Sequence, residues 1–555
     1  MKKLAFMTVN TWASYLLISL QAVAAIVLSL GALESVHAAN FSCPSIMPAG
    51  STMAIGDVTC LIASINSANG MPGKHTINLE PGIYTLQAVD NGFFNGLPVI
   101  SGSIRIQTSA IDPPTVIERD PNAPGFRIFQ VSVGGELTLD GLTIQGGSLS
   151  FLRGPGILNL GTTTLLNSIV AANFGESGAI NNSGTLNVMR SIITDNSNGH
   201  DAGGISNEPG GIALVEGSTI AHNGTDGSGG IFNRGTLVVR NSSIIFNASG
   251  GSGAGAGIGN SGYLEIVNST IAKNSLFPFF GQGGGGISNF GGGFASITNS
   301  TIRENQVIGP GGPGGGISNT GGTVRIQNTI VAGNTSVVLG STGPPDCVGM
   351  ITSLGNNLVG DPSGCDINLQ PTDLTGDPGL GALVGAGEDD LPGRAYYPVL
   401  AGSPVIDRGN PTACLQTDQL GNFRVGVCDI GSVDFGSHPL SVAVDVRPQS
   451  DSNRINPNST KDIHVAILSG NGFDATTVDP RTVRFGATGT EAAPVHVARR
   501  DVDGDGDRDM VVRFQIQDTG IKCGNTSAVL TGQISGGPSV IGSSPIQTVQ
   551  CKKQK

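Results

Sequence analysis

Apolar and polar side chains alternate with the two-residue period of a half-buried strand in short runs, such as residues 264–271 and 323–330. These runs return inside a larger phrase. Between Gly156 and Asn334 the chain repeats, seven times, a small residue that is usually Gly, then Ile, a short gap to Asn, a strand run, Ser/Thr-Ile and a closing Asn. The opening isoleucines are Ile157, Ile180, Ile205, Ile231, Ile258, Ile287 and Ile317, and their spacing grows from 23 to 30 residues. The part from Ile to Ser/Thr keeps almost the same length throughout, so the extra residues collect in Gly-rich stretches between cores.

A constant core with variable inserts is the signature of a solenoid whose units bury one face against their neighbours. Gly and Asn at the corners accept the positive φ of tight turns and are poor helix interiors, which disfavours helical repeats. A propeller blade needs ~40 residues. Two or three short strands per unit therefore predict an all-β chain built on a parallel β-helix. The Asn after each Ser/Thr-Ile (Asn173, Asn196, Asn223, Asn247, Asn274, Asn305 and Asn334) is expected to stack into a ladder of side-chain amides. Residues 77–145 carry similar but less regular runs and are expected to add further coils. Beyond Gly436–Pro439 the repeat stops, and residues 440–555 read as short alternating strands of a small antiparallel β-sandwich.

Composition alone would mislead, because 86 Gly and 30 Pro in 555 residues suggest low complexity. The repeat and a 38% hydrophobic share argue for a packed core instead. Residues 1–38 open on Lys2 and Lys3, continue apolar and end in Val36-His37-Ala38, the pattern of a secretory signal peptide or, if uncleaved, an anchor. No other segment approaches the ~20 apolar residues of a membrane span. The eight cysteines fall as neighbours, Cys43 with Cys60, Cys347 with Cys365, Cys414 with Cys428 and Cys523 with Cys551. Spacing leaves their connectivity open, but none has CxxC spacing, and they read as disulfide staples of the caps and tail of an exported chain. A net charge of −12, concentrated in residues 39–439, argues against nucleic acid as a partner.

Residues 347–434 read Cys347, then Ile351-Thr-Ser-Leu-Gly-Asn-Asn-Leu358, Cys365, Asp373-Leu-Thr-Gly-Asp377, Ala401-Gly-Ser-Pro-Val-Ile-Asp407 and Cys428-Asp429-Ile430-Gly431. These motifs resemble the choice-of-anchor Q proteins, bacterial exported chains with a pectin-lyase-like, right-handed β-helix, over roughly residues 40–437. The opening motif, Thr59-Cys60-Leu61-Ile62-Ala63, departs from the family's Arg-Glu after Leu. The resemblance implies a right-handed parallel β-helix over 39–437 and a surface or extracellular location, and implies no particular reaction.

One motif is sharply chemical. Asp501, Asp503, Asp505, Asp507 and Asp509 alternate with Val502, Gly504, Gly506 and Arg508, which matches the first nine places of a Ca²⁺ loop, with Gly at the sixth. The twelfth place is Val512 where an EF-hand has Glu, so the expected site is a structural Ca²⁺ loop between strands. The competing reading is a solvated acidic turn.

On the rod, charged side chains are sparse. Asp195, His200, Asp201 and Glu208 form one patch, with Asp226 a coil later and Arg234 and Arg240 beyond it. Asp195, Asp201 and Asp226 are the candidate acid–base residues, but the leading reading is that they are loop residues that keep a Gly-rich corner soluble. The sole Trp, Trp12, lies in the signal segment, which limits sugar stacking. Phe277-Pro278-Phe279-Phe280 is either an exposed apolar patch or a plug. The function expected is a non-enzymatic adhesion, binding or envelope-structural role toward a polysaccharide or cell-surface ligand. The alternative is a polysaccharide lyase or glycoside hydrolase acting along the rod.

Overall fold

The computed structural model describes residues 38–551 apart from 49–52, 91–93, 109–113, 251–253, 279–282, 310–313, 339–340, 344–345, 388–391, 425, 437–438, 449, 451, 471–472 and 536–538. The expected signal segment, Phe279 with Phe280, and the linker residues Ser437 and His438 thus lie outside the described residues. Among the described residues no helix is long and apolar enough to cross a membrane.

Each repeat folds as one coil of a parallel β-solenoid of about ten turns. A coil contains four strands, for example Ile231–Asn233, Thr236–Arg240, Ser243–Ile245 and Ala248–Ser249. Each pairs in parallel with its equivalent in the next coil. The seven opening isoleucines sit directly above one another. All are fully buried, and inward residues of the long strands, such as Leu237 and Val239, join them in a single core. Irregular coils do precede the repeat: strands Lys74–Leu79, Ser103–Thr108 and Glu136–Asp140 stack in parallel. The helix Val58–Asn69, capped by Asp57, closes the first coil and is stapled to it by Cys43–Cys60.

Polar ladders line the corners. In the expected one, the amide Nδ2 of Asn247 donates to Oδ1 of Asn274 at 2.9 Å, and the same bond recurs from Asn173 to Asn334. A second, unexpected ladder joins Asn159, Asn182, Asn207, Asn233, Asn260, Asn289 and Asn319 at 2.6–3.0 Å. A third uses serine: the backbone N–H of Ser191, Ser218 and Ser242 donates to the hydroxyl of the next serine, at 3.1–3.2 Å.

The ladders explain, as a matter of space, the glycine that precedes every opening Ile except Ile180, which follows Ala179. A Cβ on Gly257 would lie 2.5 Å from the Gly286 carbonyl and 3.1 Å from Nδ2 of Asn274, and Gly230 and Gly286 are equally confined. At Gly230, Gly257 and Gly286 the coil-to-coil approach that lets the amides bond leaves no room for a methyl group without a local shift, whereas the equivalent place before Ile180 accepts the buried Ala179.

Residues 379–435 run back along the rod's flank. Gly393 N–H donates to Thr219 Oγ1, Thr270 Oγ1 to Gln419 Oε1, and Ser432 N–H to Thr301 Oγ1. The side-chain amides of Asn268 and Asn299, the asparagines of two Asn-Ser-Thr sequences, donate to the carbonyls of Thr417 and Ala413. This strap covers a second apolar cluster that includes Ile245, Ala272, Ile330, Tyr397 and Ile430. Four cystines form between sequence neighbours. Cys347–Cys365 lies in the last coils, as an end staple should. Cys414–Cys428 does not close an end; it belongs to the strap beside Asn328, because the chain doubles back after the last coil.

Residues 440–551 form two small four-stranded sheets. One is antiparallel, of Val444–Val446, Asp462–Ile467, Asp509–Gln515 and His496–Arg500. The other contains Leu440–Ser441, Ser539–Pro545, Ser527–Gln533 and Arg484–Gly486 and is antiparallel except for its first strand. Both contribute to one core, in which Phe485 and Phe514 stack at 5.2 Å. This module rests on the rod: Arg481 pairs with Asp140, Asp479 with Arg190 at 2.6 Å, and Ser539 Oγ donates to the Leu420 carbonyl.

Two substitutions separate these contributions. Gly257→Ala should lower stability by about 1–3 kcal/mol in urea unfolding, while Gly224→Ala, where a Cβ meets nothing within 4 Å, should change it by less than about 0.5 kcal/mol. Asn247→Ala should cost about 1–3 kcal/mol, because it leaves the buried backbone N–H of Asn223 without its acceptor and removes one bond each from the amides of Asn223 and Asn274.

Candidate functional site

The acidic loop joins strand His496–Arg500 to strand Asp509–Gln515 in a hairpin that opens at the pair Arg500 and Asp509. Its short side chains fold the loop by bonding its own backbone. Asp501 accepts from the N–H groups of Gly504 and Gly506 at 2.7 and 3.1 Å, and Asp505 accepts from Asp507 N–H at 2.8 Å. Gly504 and Gly506 adopt φ of 82° and 96° with open space around them, so the backbone conformation is what selects glycine there. Asp509 is fully buried, and its two oxygens accept from Ser469 N–H and Val502 N–H at 2.8 and 2.9 Å, which fixes the loop to the sheet.

Carboxylate oxygens of Asp501, Asp503 and Asp509 lie within 4.8 Å of one another, the one such group of acidic, histidine or cysteine ligands among the described residues. Two oxygens bound to one Ca²⁺ at 2.3–2.6 Å can be no more than about 5 Å apart, so the three can share an ion. An all-oxygen set is also the hard donor set that Ca²⁺ prefers over zinc or copper. Asp505 and Asp507 stand outside this group, exposed at the rim. The Asp503 carboxyl is pushed above its ordinary value by desolvation and by the charges of Asp505, Asp509 and Asp501. Val512, at the twelfth place, is buried in a strand, so the loop has no EF-hand helix after it.

The rod candidates do not come together. Asp195 occupies a corner at φ 55°, the position taken by Ala172, His222, Phe246, Lys273 and Glu304 in other coils, and its side chain accepts from Thr194 Oγ1. Asp226 is exposed at a Gly-rich turn. Asp201 instead joins a cross-coil clamp with Glu208. Arg234 reaches Asp201 and Glu208 at 2.9 Å each, and Arg153, from a loop two coils earlier, bonds Glu208 at 2.8 Å. Glu208 also accepts from Asn181 Nδ2 and Ser206 Oγ, at 2.7 and 3.1 Å, and only 8% of it is exposed. The Arg234 guanidinium lies over the Phe232 ring at 4.8 Å.

Arg153 and Asn181 are the members of this clamp that the sequence does not point to. They stand 55 and 27 residues from Glu208, and no local spacing signals such a contact. Elsewhere, Tyr84 and Tyr397 are buried, while Tyr263, stacked on Phe294 at 5.3 Å, and Phe277 are partly exposed.

Removing the clamp's centre should show its role. Glu208→Ala is expected to cost roughly 3 kcal/mol in urea unfolding, as for breaking a buried ion pair, whereas Asp195→Asn and Asp226→Asn should each stay within about 0.5 kcal/mol. Comparison of the chain with protein-family models, with curated proteins and with solved structures finds no match.

Proposed function

We propose that this chain is an exported bacterial surface or extracellular protein with a non-enzymatic adhesion, binding or envelope-structural role. Its solenoid is read as a right-handed, pectin-lyase-like β-helix of the choice-of-anchor Q type. Its last 116 residues (440–555) are read as a β-sandwich accessory domain. Right-handedness follows the strong preference of parallel strands for right-handed crossovers. Four disulfides with no free cysteine among the described residues favour an oxidising compartment.

The observation that carries the reading is how the coils use their charged side chains. Glu208 with Arg234, Glu265 with Arg240, and Glu304 with Lys273 each join a carboxylate to a cation of the adjacent coil. These carboxylates serve as ties between coils, while a glycosidase needs a carboxyl pair set about 5–9.5 Å apart around a substrate. If the reading holds, incubation with polygalacturonate releases neither unsaturated products nor new reducing ends, and the intact protein still co-sediments with cell-wall glycan. Release of either product, abolished by Asp201→Asn, would establish the lyase or hydrolase reading instead.

The acidic loop is proposed to bind a structural Ca²⁺ through Asp501, Asp503 and Asp509, with Asp505 and Asp507 at the rim. Full-length protein should melt at a higher temperature in Ca²⁺ than in EGTA. The gain should approach ~2.7 kcal/mol at a hundredfold excess over Kd and vanish in Asp503→Asn. An EGTA-insensitive melt would leave the loop an acidic turn.

A further inference from the structure

We propose that the module's outer sheet is a binding surface for an acidic polysaccharide that carries carboxylates along its length. The inference rests on the binding role proposed above and names the ligand chemistry and the face that meets it.

The polar contacts described between module and rod come from residues 479–481 and 539, beside the sheet built from 484–486, 527–533 and 539–545. The other sheet, of strands 444–446, 462–467, 509–515 and 496–500, contributes none of them. One row of residues crosses it. Arg513 pairs directly with His464 on one side and with His496 on the other. Arg447 continues the row, its N–H donating to the His464 carbonyl at 2.8 Å. Directly paired residues of antiparallel strands share a face, so His464, Arg513 and His496 stand next to each other on adjacent strands, and Arg447 is exposed just past the end of strand 444–446.

Arg447, His464 and His496 are exposed, and two-fifths of the Arg513 side chain (40%) is accessible. Among the described residues only Arg513 of the four has a carboxylate partner, Asp462 at 3.1 Å. The Arg447 guanidinium donates to the Arg454 carbonyl. Other acids near the face are Asp445, opposite Ala466, and Asp509, opposite Arg500 and committed to Ser469 and Val502. A basic row of this kind is unusual on a chain of net charge −12.

Neighbouring strands lie ~4.8 Å apart, so a polymer laid across them meets a basic group at each strand. Exposed ion pairs are individually weak, but a polymer that engages several at once gains by effective concentration. The arginine fork adds paired hydrogen bonds to carboxylates. A glycan is favoured over nucleic acid because the acidic loop and the acidic rod flank the row and would repel a densely charged duplex.

The test is retention of the full-length protein on immobilised polygalacturonate, with Arg447→Gln/His464→Gln/His496→Gln as the variant. Wild type should bind, elute as salt approaches about 1 M, where the screening length falls to ~3 Å, and ignore the fully methyl-esterified polymer. The variant should bind roughly tenfold or more weakly, with an unchanged melting temperature. Should it fold poorly, His496→Glu on the edge strand gives the same loss by placing a carboxylate in the row. Absence of wild-type binding, equal retention of the variant, equal binding of the ester, or displacement by an equal concentration of oligonucleotide would overturn the proposal. Unsaturated product, read by absorbance in the same samples, would instead overturn the non-enzymatic reading and leave the retention comparison standing.

Discussion

A buried asparagine amide has two N–H groups and two acceptor sites to satisfy, and the solenoid satisfies all four by translation along its axis. Oδ1 of Asn247 accepts from both the backbone N–H and the side-chain Nδ2 of Asn223, while its own Nδ2 donates to Asn274 and to the Ile220 carbonyl. The arrangement works only if every coil presents the same group at the same height. That requirement fixes the register of the whole stack, since a coil displaced by one residue would leave two buried amides without partners. It also dictates the glycines of the preceding turn, whose missing side chains allow coils to approach closely enough for these bonds.

The ladder has a direction, because each amide donates toward the later coil. It must therefore end on a group that accepts and does not donate. Asp346 fills that place: Oδ1 takes both the N–H and Nδ2 of Asn334 at 2.9 Å, and Oδ2 takes Asp361 N–H at 2.7 Å. In the last coils the backbone N–H of Thr329 donates to Asn357, whose own N–H and Nδ2 end likewise on Asp373. Burial pushes the Asp346 carboxyl above its ordinary range, and the bonds from Asn334 and Asp361 oppose that push. An aspartate in an interior rung would lack the donor that the next coil needs, so these two ladders end on a carboxylate, while that of Asn319 ends on the Met350 carbonyl.

What the sequence displays follows from this. The Ile and Asn positions are legible because each must recur once per coil, and translation of the rod becomes periodicity in the chain. The second ladder, of Asn159, Asn182 and their equivalents, is equally periodic, yet its residues follow the Ile so closely that they pass for turn residues. The strap and the clamp are not legible at all. Asn268 meets Thr417 and Arg153 meets Glu208 only because coils and strap fold into proximity, and no period relates those positions. The acidic loop is legible because it is local: five aspartates and two glycines determine its turn within nine residues, whatever the surrounding sheet. Its strand neighbours supply only the anchor at Ser469, which the motif does not reveal.

The same distinction separates the rod's charges from the module's. Along the rod, an outward side chain at a given strand position has neighbours one coil away on either side, so an isolated acid quickly acquires a basic partner, as Glu265 does with Arg240 and Glu304 with Lys273. Stacking thus converts charge into cohesion between coils. The module has no such repetition, and antiparallel pairing sets unrelated residues side by side. Arg513 flanked by His464 and His496 is a product of that pairing, a grouping of basic side chains of a kind that stacking along the rod does not produce. Fixed to the rod through Asp140 and Arg190, the module holds this row and the acidic loop at a set place on the flank. The recognition by charge proposed above thus falls to the module, and the length of the molecule to the coils.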